Sequence, residues 1–152
     1  MSEPCLPAAD TPASRCLFYR QCGLAAVVQP ELGRIVVPAG RVGAITMPAR
    51  LGQEVKALMQ VRRCALGPIF SHPRSGRWTY LVRPDLPDEV GLFAELFRSN
   101  VSVARYGAQI ALPSPADRSP CFRVWVEPPR DTFRPSGSVV VAAIRLRAGR
   151  RR

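Results

Sequence analysis

Between Arg77 and Arg83 the chain alternates: Trp78, Tyr80 and Val82 fall on one side of an extended segment, Arg77, Thr79, Leu81 and Arg83 on the other. This period of two predicts a strand with an aromatic inner face and an outer face rich in arginine. Other β-rich runs surround it. Residues 34–37 and 42–47 flank Pro38-Ala39-Gly40-Arg41, which predicts a hairpin, and LAAVV, turned by QPELG, predicts a strand beside its first arm. PIFSH is a short strand that ends at Pro73-Arg74-Ser75-Gly76, a turn by composition. Further on, VSVARYGAQIALP predicts two short strands about Tyr106-Gly107, and CFRVWVEPP predicts another between the loops PSPADRSP and RDTFRP.

Elsewhere the period lengthens. After Pro48, which suits a first helical turn, Leu51, Val55, Leu58 and Met59 recur at helical spacing until Gly67-Pro68. In PDLPDEVGLFAELFRSN, Asp85 is placed to cap a second helix, with Asp88 and Glu89 in its first turn. Leu92, Phe93, Leu96 and Phe97 form the expected buried face. The segment SGSVVVAAIRLRA suits a helix by its cap Ser136 and a strand by its three valines; we take helix. Residues 1–14, with three prolines and no apolar period, predict a disordered leader. A single α+β domain over 15–147 and a basic tail over 148–152 follow. The expected fold is a mixed, mainly antiparallel sheet with two or three helices.

A chain of 152 residues, 47% hydrophobic and 22% charged, has the composition of one globular domain. No apolar run approaches the roughly 20 residues of a membrane span. The first residues lack the basic and apolar regions of a secretory signal, so a soluble cytoplasmic protein without a membrane partner is expected. The net charge of +11 changes the picture in one of two ways. It signals a polyanionic partner, or it reflects coding bias, since Lys56 is the only lysine in a chain rich in Ala, Gly and Pro.

Candidate chemistry is sparse. The five cysteines (Cys5, Cys16, Cys22, Cys64 and Cys121) form no CxxC pair, and His72 is the only histidine, so they read as structural or incidental thiols. His72 precedes a proline at a turn, outside any triad pattern, and reads as a hairpin-end side chain. No glycine-rich phosphate loop is present. The residues therefore predict no catalytic group, no metal site and no cofactor.

Three segments resemble a known family. Gly76-Arg77-Trp78-Thr79-Tyr80, then Gly107 to Ser114 with its Pro113 and Pro115, then Phe122 to Trp125 with Pro128-Pro129, are similar to successive motifs of the bifunctional DNA primase/polymerase domain, in the archaeo-eukaryotic primase superfamily. The resemblance spans roughly residues 67–135. The chain is also similar to small actinobacterial proteins, some of which carry the label of an RNA polymerase β subunit, a label nothing in these residues supports. The primase resemblance implies an α+β fold and chemistry with nucleoside triphosphates and divalent metals held by carboxylates. The strands that would carry the family's first acidic motif, GRIVVPAG or VGAITMP, contain no carboxylate, and Trp78 stands where the family has its triphosphate-contacting histidine. Asp85, Asp88 and Glu89 are explained by a helix start.

The expectation is a primase-like shell without primase chemistry: a non-catalytic module binding DNA, RNA or a protein partner through an arginine-rich face. Its candidate contacts are Arg74, Arg77 and Arg83, joined by Arg123 from a later strand, with the tail arginines adding non-specific affinity. Arginines on the outer face of a sheet also serve simply as a solvated edge. Two alternatives make different demands. A divergent nucleotidyltransferase requires Asp85, Asp88, Asp117, Glu127 and Asp131 to converge; a protein-binding adaptor requires scattered arginines and an exposed apolar patch.

Overall fold

The strand of residues 77–82 lies at the centre of a sheet that is covered on both faces. The computed structural model describes residues 10–118 and 122–149. In chain order its elements are α1 (Pro12–Gln21), β1 (Val27–Gln29), β2 (Arg34–Pro38), β3 (Gly43–Pro48), α2 (Ala49–Val61), β4 (Ile69–His72) and β5 (Arg77–Val82). Then come α3 (Val90–Arg98), β6 (Ser102–Val103), β7 (Gln109–Leu112), β8 (Val124–Glu127) and α4 (Gly137–Gly149). The fold is α+β. The strands form a five-stranded sheet, β6-β3-β5-β4-β8, and a three-stranded sheet, β1-β2-β7, both with antiparallel neighbours.

Two expectations change here. The predicted hairpin of residues 34–37 and 42–47 does not form, because β2 pairs with β1 and β7 while β3 pairs with β5 and β6. The peptide N–H of Ala39 bonds to the carbonyl of Ala108 instead, so the connection carries the chain from one sheet to the other. Among the described residues the helices number four rather than two or three, and the added one, α1, begins inside the expected leader. Thr11 and Ser14 cap it reciprocally, each side chain accepting from the other's backbone N–H. Pro12 takes the first helical position, where a missing N–H costs nothing. Residues 1–9 of that leader, residues 150–152 of the tail, and Cys5 and Cys121 lie outside the described residues.

Alternation along the central strands feeds two cores. Ile45 and Met47 of β3, and Tyr80 and Val82 of β5, face α2, α3 and α4. Ala44 of β3, Phe70 of β4 and Leu81 of β5 face the other way, toward α1 and the three-stranded sheet. The face of β5 expected to be solvated is therefore largely buried: Leu81 is fully enclosed and Thr79 nearly so. Of the expected buried face of α3, Leu92 and Leu96 are buried, whereas Phe97 is 76% exposed.

Buried hydroxyls tie the layers together. Tyr19 donates to the carbonyl of Pro113 at 2.6 Å and accepts from the indole of Trp125 at 2.9 Å, joining α1, β8 and the end of β7. Phe70 meets the same indole edge to face, at 5.7 Å between ring centroids. On the helix side Tyr80 donates to the carbonyl of Gly52, and a Cβ on Gly52 would lie 2.9 Å from Trp78, so only glycine lets α2 sit this close. Asp85 does not cap α3, whose first turn holds no acid. Its Oδ1 accepts from the N–H of Gly137 and caps α4. Among the described residues no helix is long and apolar enough to cross a membrane.

Because β5 is covered on both faces, Leu81→Ala is expected to cost about 2–5 kcal/mol in equilibrium denaturation. A loss below 0.5 kcal/mol, the size usual for a surface substitution, would mean that the face is solvated. Tyr19→Phe leaves a buried carbonyl and an indole N–H unpaired, and is expected to cost about 1–3 kcal/mol in the same measurement.

Candidate functional site

The turn between β4 and β5 closes tightly. Gly76, at φ +66°, donates its N–H toward the carbonyls of His72 and Pro73, which brings His72, Ser75 and Arg77 to one end of the sheet. At that end the two sheets part. Ala44, Thr46, Thr79 and Ala111 are small and do not fill the space, which leaves a cleft of about 340 Å³. Thr46 and Thr79, cross-strand partners, share a 2.9 Å hydrogen bond in its wall. Ser102 and Gln109 line it, with Arg77, Arg123, His72 and Ser75. Among the described residues no carboxylate does so.

Arg77 is held in place. Its Nη2 donates to the carbonyls of Thr46 at 3.2 Å and Asn100 at 2.9 Å, bridging β3 to the turn before β6. Arg123 precedes β8, and its backbone N–H donates to Asp117 at 3.3 Å. Arg74 is exposed in the turn. Arg83 lies at the far end of β5, six residues from Arg77, or about 20 Å along the strand. It stands 3.9 Å from Asp85. Two of the four candidate arginines, Arg77 and Arg123, thus line one cleft, Arg74 lies in the adjoining turn, and Arg83 is apart.

His72 is the titratable group among them. Its Nδ1 lies 2.7 Å from Ser75 Oγ, and that hydroxyl donates to the His72 carbonyl at 3.2 Å. Nε2 is enclosed and has no partner among the described residues. Burial, then the positive charges of Arg123 and Arg74, hold the imidazole below its ordinary range, with Asp117 opposing.

The acids that a metal-dependent enzyme would gather are dispersed on separate tasks. Asp85 caps α4, and Glu127 pairs with Lys56 of α2 at 3.2 Å. Asp117 accepts from the N–H groups of Ser114 and Arg123, and Asp131 from that of Phe133. Among the described residues no three His, Cys, Asp or Glu side chains form a group able to hold a metal ion. Trp78 packs against the α2 core; Thr79 takes the cleft side. Thr46, Ser102 and Gln109 were not legible as site residues. The one signal was Thr46, a hydroxyl in the otherwise apolar run GAITMP. No protein-family model, curated protein or solved structure matches the chain.

As the sole imidazole, His72 gives one assignable proton NMR titration. Its midpoint is expected below the ordinary value of about 6.5. The unfolded chain then takes up the proton first, so this group's contribution to stability is complete above that value and is lost as pH falls through the folded midpoint. Millimolar inorganic phosphate should move the midpoint upward, because an anion in the cleft favours the imidazolium. A midpoint indifferent to phosphate would show that the cleft does not take anions.

Proposed function

We propose that this chain is a non-catalytic module of primase/polymerase type that grips the phosphate backbone of nucleic acid at the mouth of the intersheet cleft. The observation that carries the reading is the gathering of Arg77 and Arg123 in a cleft lined by hydroxyls, with Arg74 in the adjoining turn. Guanidinium groups and hydroxyls donate hydrogen bonds to phosphate oxygens without reading base sequence. Carboxylates at the same place would repel the backbone, and none of the described lining residues carries one. The strands β2 to β7 contain no carboxylate either, so they offer none for the cations of two-metal phosphoryl transfer. The cytoplasm, where polyanionic nucleic acid is abundant, is the compartment this reading implies.

A second reading, a protein-binding adaptor, rests on a separate observation. Val90 and Phe97 are both exposed and lie seven residues apart on α3, which places them on one side of the helix. The arginine cluster favours nucleic acid over this reading.

Fluorescence anisotropy with labelled DNA and RNA tests the proposal. Binding should be largely independent of sequence and should weaken steeply with salt. Arg74→Ala and Arg123→Ala should each lower affinity for all sequences alike and reduce the salt slope by about 1. Binding indifferent to salt would remove the phosphate-gripping role. In a polymerase assay with magnesium or manganese, no primer synthesis or extension is expected; metal-dependent synthesis abolished by Asp88→Asn would establish the enzyme instead.

A further inference from the structure

A second cavity, of about 380 Å³, adjoins the arginine-lined cleft. Val103 and Ala104 line both, so the two meet at the edge of the five-stranded sheet, at β6 and the residue after it. Their chemistry differs. The second cavity is walled by Val42, Val82 and Phe93 and bordered by Arg83, Arg105 and Asp88. Tyr106 stands at its rim and is 93% exposed. The ring lies over Gly40, where a Cβ would stand only 3.2 Å from it. The tyrosine's turn is fixed by backbone bonds from Gly107 to Ala39 and from Ala108 to Arg105, both 2.9 Å. An aromatic ring is therefore held on a firm turn, uncovered, beside an apolar hollow that opens next to a cationic cleft.

We propose that this cavity receives one unstacked nucleobase of a single strand whose phosphates run through the adjoining cleft. The inference rests on the nucleic-acid reading above and makes it specific for single strands. A splayed base needs an aromatic face to stack on, apolar walls, and donors and acceptors in reach of its edge. Tyr106 offers the face, Val42 and Phe93 the walls, Arg105 a donor and Asp88 an acceptor. An apolar side chain of a protein partner would use the walls, but it gains nothing from the cationic cleft alongside. A duplex keeps its bases paired and stacked, and extruding one costs a few kcal/mol.

The test uses the full chain and three fluorescent probes at one low salt concentration: a short oligothymidylate, the same backbone with abasic sites, and a duplex. The intact single strand is expected to bind about tenfold or more tightly than the abasic strand or the duplex. Tyr106→Ala should bind the intact strand no better than the abasic one, and Tyr106→Phe should restore the difference. Arg123→Ala should weaken intact and abasic strands by the same factor. An unchanged thermal midpoint is expected for Tyr106→Ala, since its ring is exposed. Equal affinity for intact and abasic strands, or a Tyr106→Ala protein that binds like wild type, would overturn the base pocket, leave the hollow to an apolar protein side chain, and leave the phosphate cleft standing. Wild-type protein that binds none of the probes would overturn the nucleic-acid reading and this inference together.

Discussion

The structure depends on covering both faces of β5. A central strand offers its neighbours hydrogen bonds on both edges, so its stability is decided by what its two rows of side chains meet. On one row Tyr80 and Val82 meet the helices; on the other Leu81 meets Phe70 and Ala44. The first cover requires α2 to approach closely over Gly52. The second requires a whole further sheet, with α1 sealing its side through Phe18 and Tyr19. The divergence of β2 from β3 follows: a hairpin between them would place both arms in one sheet and leave Leu81 against water.

Periodicity along single segments made much of this legible. The strands at Trp78–Val82 and Val124–Glu127, the helix at Leu51–Met59 and the turn at Gly76 form where alternation and turn chemistry place them. What was not legible is the partnering. Leu81 and Thr79 alternate with aromatics whether the opposite face meets water or a second sheet, and only the burial of Leu81 distinguishes the two. Asp85 has the chemistry of a cap, but sequence proximity points to α3, whereas the chain folds Gly137 onto it from 52 residues away. Pro12 resembles the leader's other prolines until Thr11 and Ser14 are seen to bond across it.

The candidate site shows the same division. Arg74 and Arg77 share a hairpin, so their neighbourhood is local and visible in the sequence; Arg123 joins them because β8 pairs with β4. Arg83 has the same alternation as Arg77 but the opposite end of the strand, and a strand extends too fast for the two to act together. The cleft itself arises from side-chain size. Alanines and threonines on facing strands leave space that a leucine would have filled, and the arginines border what remains.

The Asp85 cap also bears on how the chain reaches its fold. Val140, Val141, Ala143 and Ile144 of α4 complete the helix-side core, and α4 follows every other element of the described residues in chain order. During synthesis every other contributor to that core leaves the ribosome earlier. Until residues 137–149 emerge, α2 and α3 cover that face without α4 to close their core, and the Asp85 carboxylate lacks the N–H of Gly137. Closing so long a loop is entropically costly and, for contacts so distant in sequence, slow. A nascent chain that forms its sheet before then would leave the apolar residues that α4 covers exposed, where aggregation competes with folding and a chaperone has something to hold.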